Sequence, residues 1–315
     1  MPRRLSLISR QEAARKYGLR NESEYFPPAP LYFEGMYGLG DNIYQRAFLH
    51  HFPGAYLCTP WPELYQGLNV HCVRSETRLR TQQKNERRSD YRYHSVPVRA
   101  LRKRIAYGPI ELASGGIVQT FRHQFGVTDP LVFDLPSFNH MSPLIPQGER
   151  IAIIRPATIR TEWGSASRNP DPAYLCSAAR LLRQAGFFVI SVADTEPGKE
   201  WIVGPEPEAD LRLHQGELSI TELCSLYEQA AAVVAPVGFS LPMAIAYQTP
   251  LFIVAGGCGG HNAPNVVTDP EMELSKVSWA IPDNYCLCTH ADHHCDKRIS
   301  SFKQQFIRWL YDIVL

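Results

Sequence analysis

The chain has 315 residues, of which 44% are apolar, 20% charged and 11% aromatic, a mix too apolar for a disordered segment and long enough for one large domain or two of ordinary size. Its formal net charge of +1, from 32 Lys and Arg against 31 Asp and Glu, singles out no class of partner. No apolar run reaches the roughly 18 residues of a membrane span, and the start, MPRRLSLISRQEAARKYG, lacks a signal-peptide core, so a cytoplasmic chain with its eight cysteines reduced is expected.

After a proline-marked lead-in at 26–30, the run 31–37 reads as a buried strand rich in aromatic residues. It stops at Gly38-Leu39-Gly40-Asp41, and Ile43, Ala47 and Phe48 then share one face of a short helix closed by Pro53 and Gly54. A strand at 55–59, a helix at 62–68 and a strand at 70–73 continue an alternation that argues for parallel βα units. Residues 74–104 are basic, with eleven Lys or Arg against three Asp or Glu, so the rest of the chain carries a net negative charge. Apolar pieces follow at 117–121 and 131–135. The prolines of 136–149 mark a domain boundary near residue 147.

The second half repeats the rhythm: strand 151–158, helix 173–186, strand 187–194, helix 221–232, strand 233–237, helix 242–248 and strand 251–257. Phe302, Phe306, Trp309, Leu310 and Ile313 recur at helical spacing in the tail. The predicted fold class is α/β, two Rossmann-like doubly wound domains facing across a cleft. They span 1–146 and 147–298, and a terminal helix at 299–315 packs back on the first. Ligands of open α/β sheets sit beyond the carboxyl ends of the strands, which singles out loops 38–42, 155–163, 235–241 and 255–262.

Gly38 and Gly40 allow a sharp turn and close approach to a ligand, and Asp41 projects from the helix start, either as a helix N-cap or as a catalytic base. The segment APVGFSLPMAIAYQTPLFIVAGG at 235–257 resembles, without a gap, the donor-binding strand, loop, helix and strand of the heptosyltransferase family, nucleotide-sugar glycosyltransferases of the two-domain GT-B fold. GLGD at 38–41, IAIIRPATIRTEW at 151–163 and Cys-Asp-Lys-Arg-Ile at 295–299 agree in order. The resemblance covers about two thirds of the chain. It implies a nucleotide-sugar donor as co-substrate, no other cofactor, an acceptor-binding first domain, a donor-binding second domain and Asp41 as general base. The chain also departs from the family: Val237, Gly238, Phe239 and Pro242 stand where that family has Asp, Ser or Thr, Gly and His. Neither heptose nor any one nucleotide is therefore implied.

A diphosphate would be met by Gly238, Ser240 and the following helix start, and by Arg155 or Arg160. Trp163 and Phe239 can flank a base or sugar, or simply pack. Gly256, Gly257, His261 and Asn262, in a loop with four glycines, are assigned to the donor sugar. Cys286, Cys288, His293 and Cys295 offer thiolates and an imidazole for a tetrahedral zinc, but Cys-x-Cys is tighter than usual zinc spacing. The reading preferred there is a polar loop with reduced cysteines, and no metal is expected in the reaction.

The basic stretch, with Arg87, Arg88, Tyr91, Arg92, Tyr93, Arg102 and Lys103, points to a polyanionic acceptor. DNA carrying a hydroxymethylated pyrimidine, as in some bacteriophages, fits best, since the tyrosines can stack on an extruded base. Phosphorylated lipopolysaccharide core is the alternative. A non-catalytic nucleic-acid-binding protein leaves the second domain without purpose, and a sugar-nucleotide epimerase leaves the basic face without one.

Overall fold

The computed structural model describes residues 29–162, 164 and 166–314. The first half runs β1 (Leu31–Glu34), α1 (Leu39–Leu49), β2 (Ala55–Cys58), a 3-10 turn at Pro62–Tyr65, β3 (Val70–Val73), α2 (Arg80–Arg88), β4 (Leu101–Arg104) and α3 (Pro109–Phe125). Its strands form one parallel sheet in the order β3-β2-β1-β4, with Phe33 in register with Leu57 on one side and Lys103 on the other. Parallel neighbours require crossovers, and α1 supplies the first by burying Ile43, Ala47 and Phe48. Phe33, Phe48 and Phe125 meet at ring separations of 4.8–5.0 Å. α3 is kinked at Gly115 and Gly116. Gly116, at φ 80°, lies so close to the Val266 backbone that a Cβ would collide with it.

The second half comprises β5 (Ile151–Ile154), β6 (Thr158–Arg160), α4 (Pro172–Gln184), β7 (Phe188–Val192), β8 (Glu200–Ile202), β9 (Leu211–Leu213), α5 (Ile220–Gln229), β10 (Ala232–Pro236), α6 (Ser240–Tyr247), β11 (Leu251–Val254), the short turns α7 (Gly259–Asn262) and α8 (Pro264–Val267), β12 (Val277–Ala280) and α9 (Phe302–Trp309). Six of these strands make a parallel sheet in the order β12-β11-β10-β5-β7-β9, while β6 and β8 pair antiparallel beside it. Strands β5 and β11 are buried at every position, as the continuous apolar runs IAII and LFIV require of strands covered on both faces.

Both sheets are mixed in connection order and parallel throughout, the Rossmann-like arrangement. Some expected elements and apolar pieces differ. Residues 62–68 give only the 3-10 turn, and 131–135 form no helix or strand. The tail does not return to the first half: Phe302, Phe306 and Trp309 pack on Phe252 of β11, and Tyr174 of α4 covers Phe302. That face of the second sheet is the apolar surface nearest to the end of the chain, and α9 buries it.

Candidate active site

In each sheet the connection order reverses once, between β1 and β4 in the first and between β5 and β10 in the second. Such switch points leave a crevice beyond the strand ends. The loops leaving all four strands line one cleft of about 470 Å³ between the two halves. They carry Gly38–Asp41 and Tyr107 from the first half, and Arg155 and Gly238–Ser240 from the second. The halves come close here. A Cβ on Gly40 would lie 3.3 Å from Cα of Phe239, so the absence of a side chain on Gly40 is what lets the two turns face each other.

Asp41 is in the first turn of α1, and Gly38 precedes that helix. One carboxylate oxygen folds back against Gly38, where a Cβ would collide with it. The other accepts a 2.5 Å hydrogen bond from the Tyr107 hydroxyl. Burial pushes the Asp41 carboxyl above the ordinary Asp range, and the Tyr107 bond and the charge of Arg168 draw it back only in part. Burial and the adjacent carboxylate in turn raise Tyr107, which keeps it a donor. The geometry therefore differs from a simple N-cap.

Facing Asp41, Arg155 stacks on Phe239 with its guanidinium 4.3 Å from the ring centroid, and Arg168 donates to the Val237 carbonyl at 3.0 Å. Among the described residues neither arginine has a carboxylate within ion-pair distance. Burial lowers the pKa of both, and the more distant charges of Glu200 and Asp194 on Arg155 and of Asp41 on Arg168 offset it only in part. The N-terminus of α6 opens beside them. This wall suits an anionic ligand such as a diphosphate.

Three buried polar atoms on cleft residues have no hydrogen-bond partner among the described residues: Thr81 Oγ1, Gln82 Oε1 and His261 Nε2. A buried polar atom left unsatisfied is costly. The first two belong to α2 and the third to α7, on opposite halves.

The rim is closed by ion pairs. Arg80 of α2 reaches Asp194 at 2.9 Å, Glu200 at 3.0 Å and Glu196 at 3.5 Å, and Lys84 reaches Asp194 at 3.0 Å. Arg88 donates to the carbonyls of Gly216 and Leu218. Arg160 also pairs with Glu200, at 3.1 Å, and its charge is thereby shared with the rim.

Of the residues singled out in the sequence, Gly38, Gly40, Asp41, Arg88, Arg155, Arg160, Gly238, Phe239, Ser240, His261 and Asn262 line the cleft. The Ser240 hydroxyl is engaged 2.7 Å from that of Tyr227. Trp163 lies outside the described residues. Gly256 and Gly257 do not reach the cleft: Gly256 packs on the backbone of Arg168 and Asn169, and Gly257 on Ser167 and Cys295. Their lack of a side chain serves a backbone approach, not a sugar. Tyr91 and Tyr93 are packed edge to face at 5.4 Å on the edge of the first sheet. The Tyr91 hydroxyl accepts from Cys72 N, and Arg74 covers Tyr93, so neither ring is a free platform for a base. Arg87, Arg92, Arg102 and Lys103 are exposed outside the cleft, and Arg102 pairs with Glu34 at 3.2 Å. The sequence reading missed Tyr107 and Arg168. The only signal for Tyr107 was its place after a strand that is itself concealed.

No family model matches the chain, and no match was found among curated protein sequences. Solved structures do share its fold. The Escherichia coli ADP-heptose lipopolysaccharide heptosyltransferase II aligns with a TM-score of 0.57 and 14% identity over 90% of this chain and 98% of that one. The iron-containing dodecameric glycosyltransferase TibC of enterotoxigenic E. coli aligns at 0.51 and 14% identity over 85% of this chain. A glycosyl transferase family 9 protein of Veillonella parvula aligns at 0.51 and 8% identity over 80% of this chain and 85% of that one. The chain spans about 64% of the length of TibC. It has the two-sheet GT-B fold of these glycosyltransferases.

Proposed function

We propose that the protein transfers a glycosyl group from a nucleoside-diphosphate sugar to a hydroxyl of a saccharide acceptor, with Asp41 as general base. The observation that carries this reading is the opposition, across one cleft, of a carboxylate with a raised pKa from the first half and two buried arginines without an ion-pair contact from the second. Asp41 takes the acceptor proton as the acceptor oxygen attacks the anomeric carbon. The bond from that carbon to the diphosphate breaks, and Arg155 and Arg168 stabilise the departing charge. A carboxyl held above the ordinary range is a stronger base once ionised, and Tyr107 fixes its orientation.

In this reading the first half, to about residue 146, binds the acceptor, and the second binds the donor. The heptosyltransferases of this fold, which take ADP-heptose or act on lipopolysaccharide, support a carbohydrate acceptor over DNA. So do the packed Tyr91 and Tyr93.

The test is Asp41→Asn. It should retain nucleoside-diphosphate binding by calorimetry and lose transfer by roughly 10²-fold or more. Turnover that survives the substitution would place the base elsewhere.

A further inference from the structure

We propose that Cys286, Cys288, His293 and Cys295 bind one tetrahedral transition-metal ion, zinc(II) or iron(II), and that this metal knuckle holds the two loops that present Arg168 and His261 to the cleft. The four ligand atoms all lie within 4.8 Å of one another. Cys288 and Cys295 sulfurs are 3.6 Å apart, and His293 Nδ1 lies 3.3 Å from the Cys295 sulfur and 3.5 Å from that of Cys286. A tetrahedron with metal–sulfur bonds of about 2.3 Å and metal–nitrogen bonds of about 2.0 Å has edges of roughly 3.7 Å between sulfurs and 3.5 Å between sulfur and nitrogen. Three of the six separations lie within about 0.2 Å of those edges, and the other three fall within 4.8 Å, a set that small side-chain rotations would close around one ion. A disulfide would instead bring two sulfurs to about 2.05 Å.

Regular secondary structure does not order this segment. No helix or strand falls between Ala280 and Phe302, and Leu287 is 68% exposed. None of residues 286–295 is buried, and a stretch without a core of its own gains order from a cross-link or a metal. The tight Cys-x-Cys and His-x-Cys pairs each present two ligands from one short turn.

The knuckle is bonded to both cleft loops. Gly259 N donates to Cys286 O at 2.8 Å and Gly260 N to Cys288 O at 3.0 Å, at the start of the turn that carries His261. On the other side Ser167 N donates to Ala291 O at 3.1 Å and Ser167 Oγ to His290 O at 2.9 Å, one residue before Arg168. Gly257 N completes the circuit by donating to Ser167 O at 2.7 Å, and a Cβ there would collide with Cys295. Gly257, Gly259 and Gly260 thus make room for the knuckle.

Metal binding stands independently of glycosyl transfer, whereas the coupling to the cleft rests on the proposed function. The test measures metal in the protein as purified without chelator, and after reconstitution with cobalt(II). About one zinc or iron per chain is expected, with thiolate-to-cobalt charge-transfer absorption on reconstitution. Iron is told from zinc by elemental analysis, and by the visible thiolate-to-iron charge-transfer bands that appear once iron(II) is oxidised to iron(III). Cys288→Ser and Cys295→Ser should lose the ion, and Cys176→Ser, on α4, should keep it. A metal-free protein that also shows no cobalt–thiolate band, or a Cys288–Cys295 disulfide by mass spectrometry, overturns the site. Stripping the metal should weaken nucleoside-diphosphate binding about tenfold or more, because metal binding and local folding are linked. Unchanged affinity in the stripped protein overturns the coupling. If the metal-loaded protein binds no nucleotide at all, it is the glycosyltransferase reading that fails, and the metal site is unaffected.

Discussion

The Tyr107 hydroxyl donates to Asp41 Oδ1 at 2.5 Å, and the two residues follow the two strands that flank the switch point of the first sheet. This contact links the loop after β4 to the first turn of α1 and points the carboxylate at the guanidinium wall of the second half.

Tyr107→Phe removes a bond that lowers the Asp41 pKa, while the burial that raises it stays. The pKa of Asp41 then climbs further. The acid limb of the pH–rate profile should move to higher pH, and kcat at a fixed pH on that limb should fall. An acid limb that does not move would show that Asp41 does not govern the rate.

Arg155→Ala and Arg168→Ala should each weaken nucleoside-diphosphate binding by about 1.5–3 kcal/mol, the range for a hydrogen bond to a charged group, or about tenfold to a hundredfold in Kd. Arg160→Ala should cost less affinity, since Arg160 is already paired with Glu200. Calorimetry on the three variants gives the ranking, and equal affinities in all of them would remove the anion site from this wall.

The rim cluster makes a statement about stability. Arg80→Ala leaves Glu200, 2% exposed, with one cationic partner fewer. Removing one partner of a buried ion pair destabilises by about 3–5 kcal/mol, and the partial exposure of Arg80 places this case near the lower end. Desolvation opposes ionisation of Asp194, but hydrogen bonds from Arg80 and Lys84 outweigh it and hold its carboxyl below the ordinary range. A carboxylate depressed on folding contributes stability that is fully present above its unfolded pKa, near 3.9, and is lost as pH falls through the lower folded value. Acid unfolding should therefore begin at higher pH in Arg80→Ala than in the parent chain, as followed by circular dichroism.

The same cluster shows what the sequence concealed. β5 and β11 were legible because strands buried on both faces are unbroken apolar runs. β4, with the sequence LRKR, is an edge strand exposed at every position, so no pattern of burial marks it, and Tyr107 after it was lost with it. α2, RTQQKNERR, has no apolar face. It buries Gln82, Asn85 and Glu86, with Glu86 accepting from Ser75 N and Oγ. Its charge reads as a surface patch, yet Arg80 and Lys84 face acids more than a hundred residues away in sequence, a pairing that local charge counting cannot see. Asp41, Arg155 and Phe239 were legible for the opposite reason: each follows a recognisable strand at the end where α/β sheets bind ligands.

The basic residues left outside the rim bear on the acceptor. Arg102 and Lys103 are exposed on β4, the strand that leads into Tyr107, and the donor wall lies on the other half of the cleft. Arg102→Glu combined with Lys103→Glu should therefore raise the KM for a phosphorylated saccharide acceptor and flatten its dependence on salt, because surface charges attract through a field that salt screens over about 10 Å at 0.1 M. Nucleoside-diphosphate affinity should stay as it was. Arg102 also pairs with Glu34 and covers Tyr32, so circular dichroism on the double variant must first show an intact fold. An acceptor KM and salt slope equal to those of the parent would exclude this strand from the acceptor path.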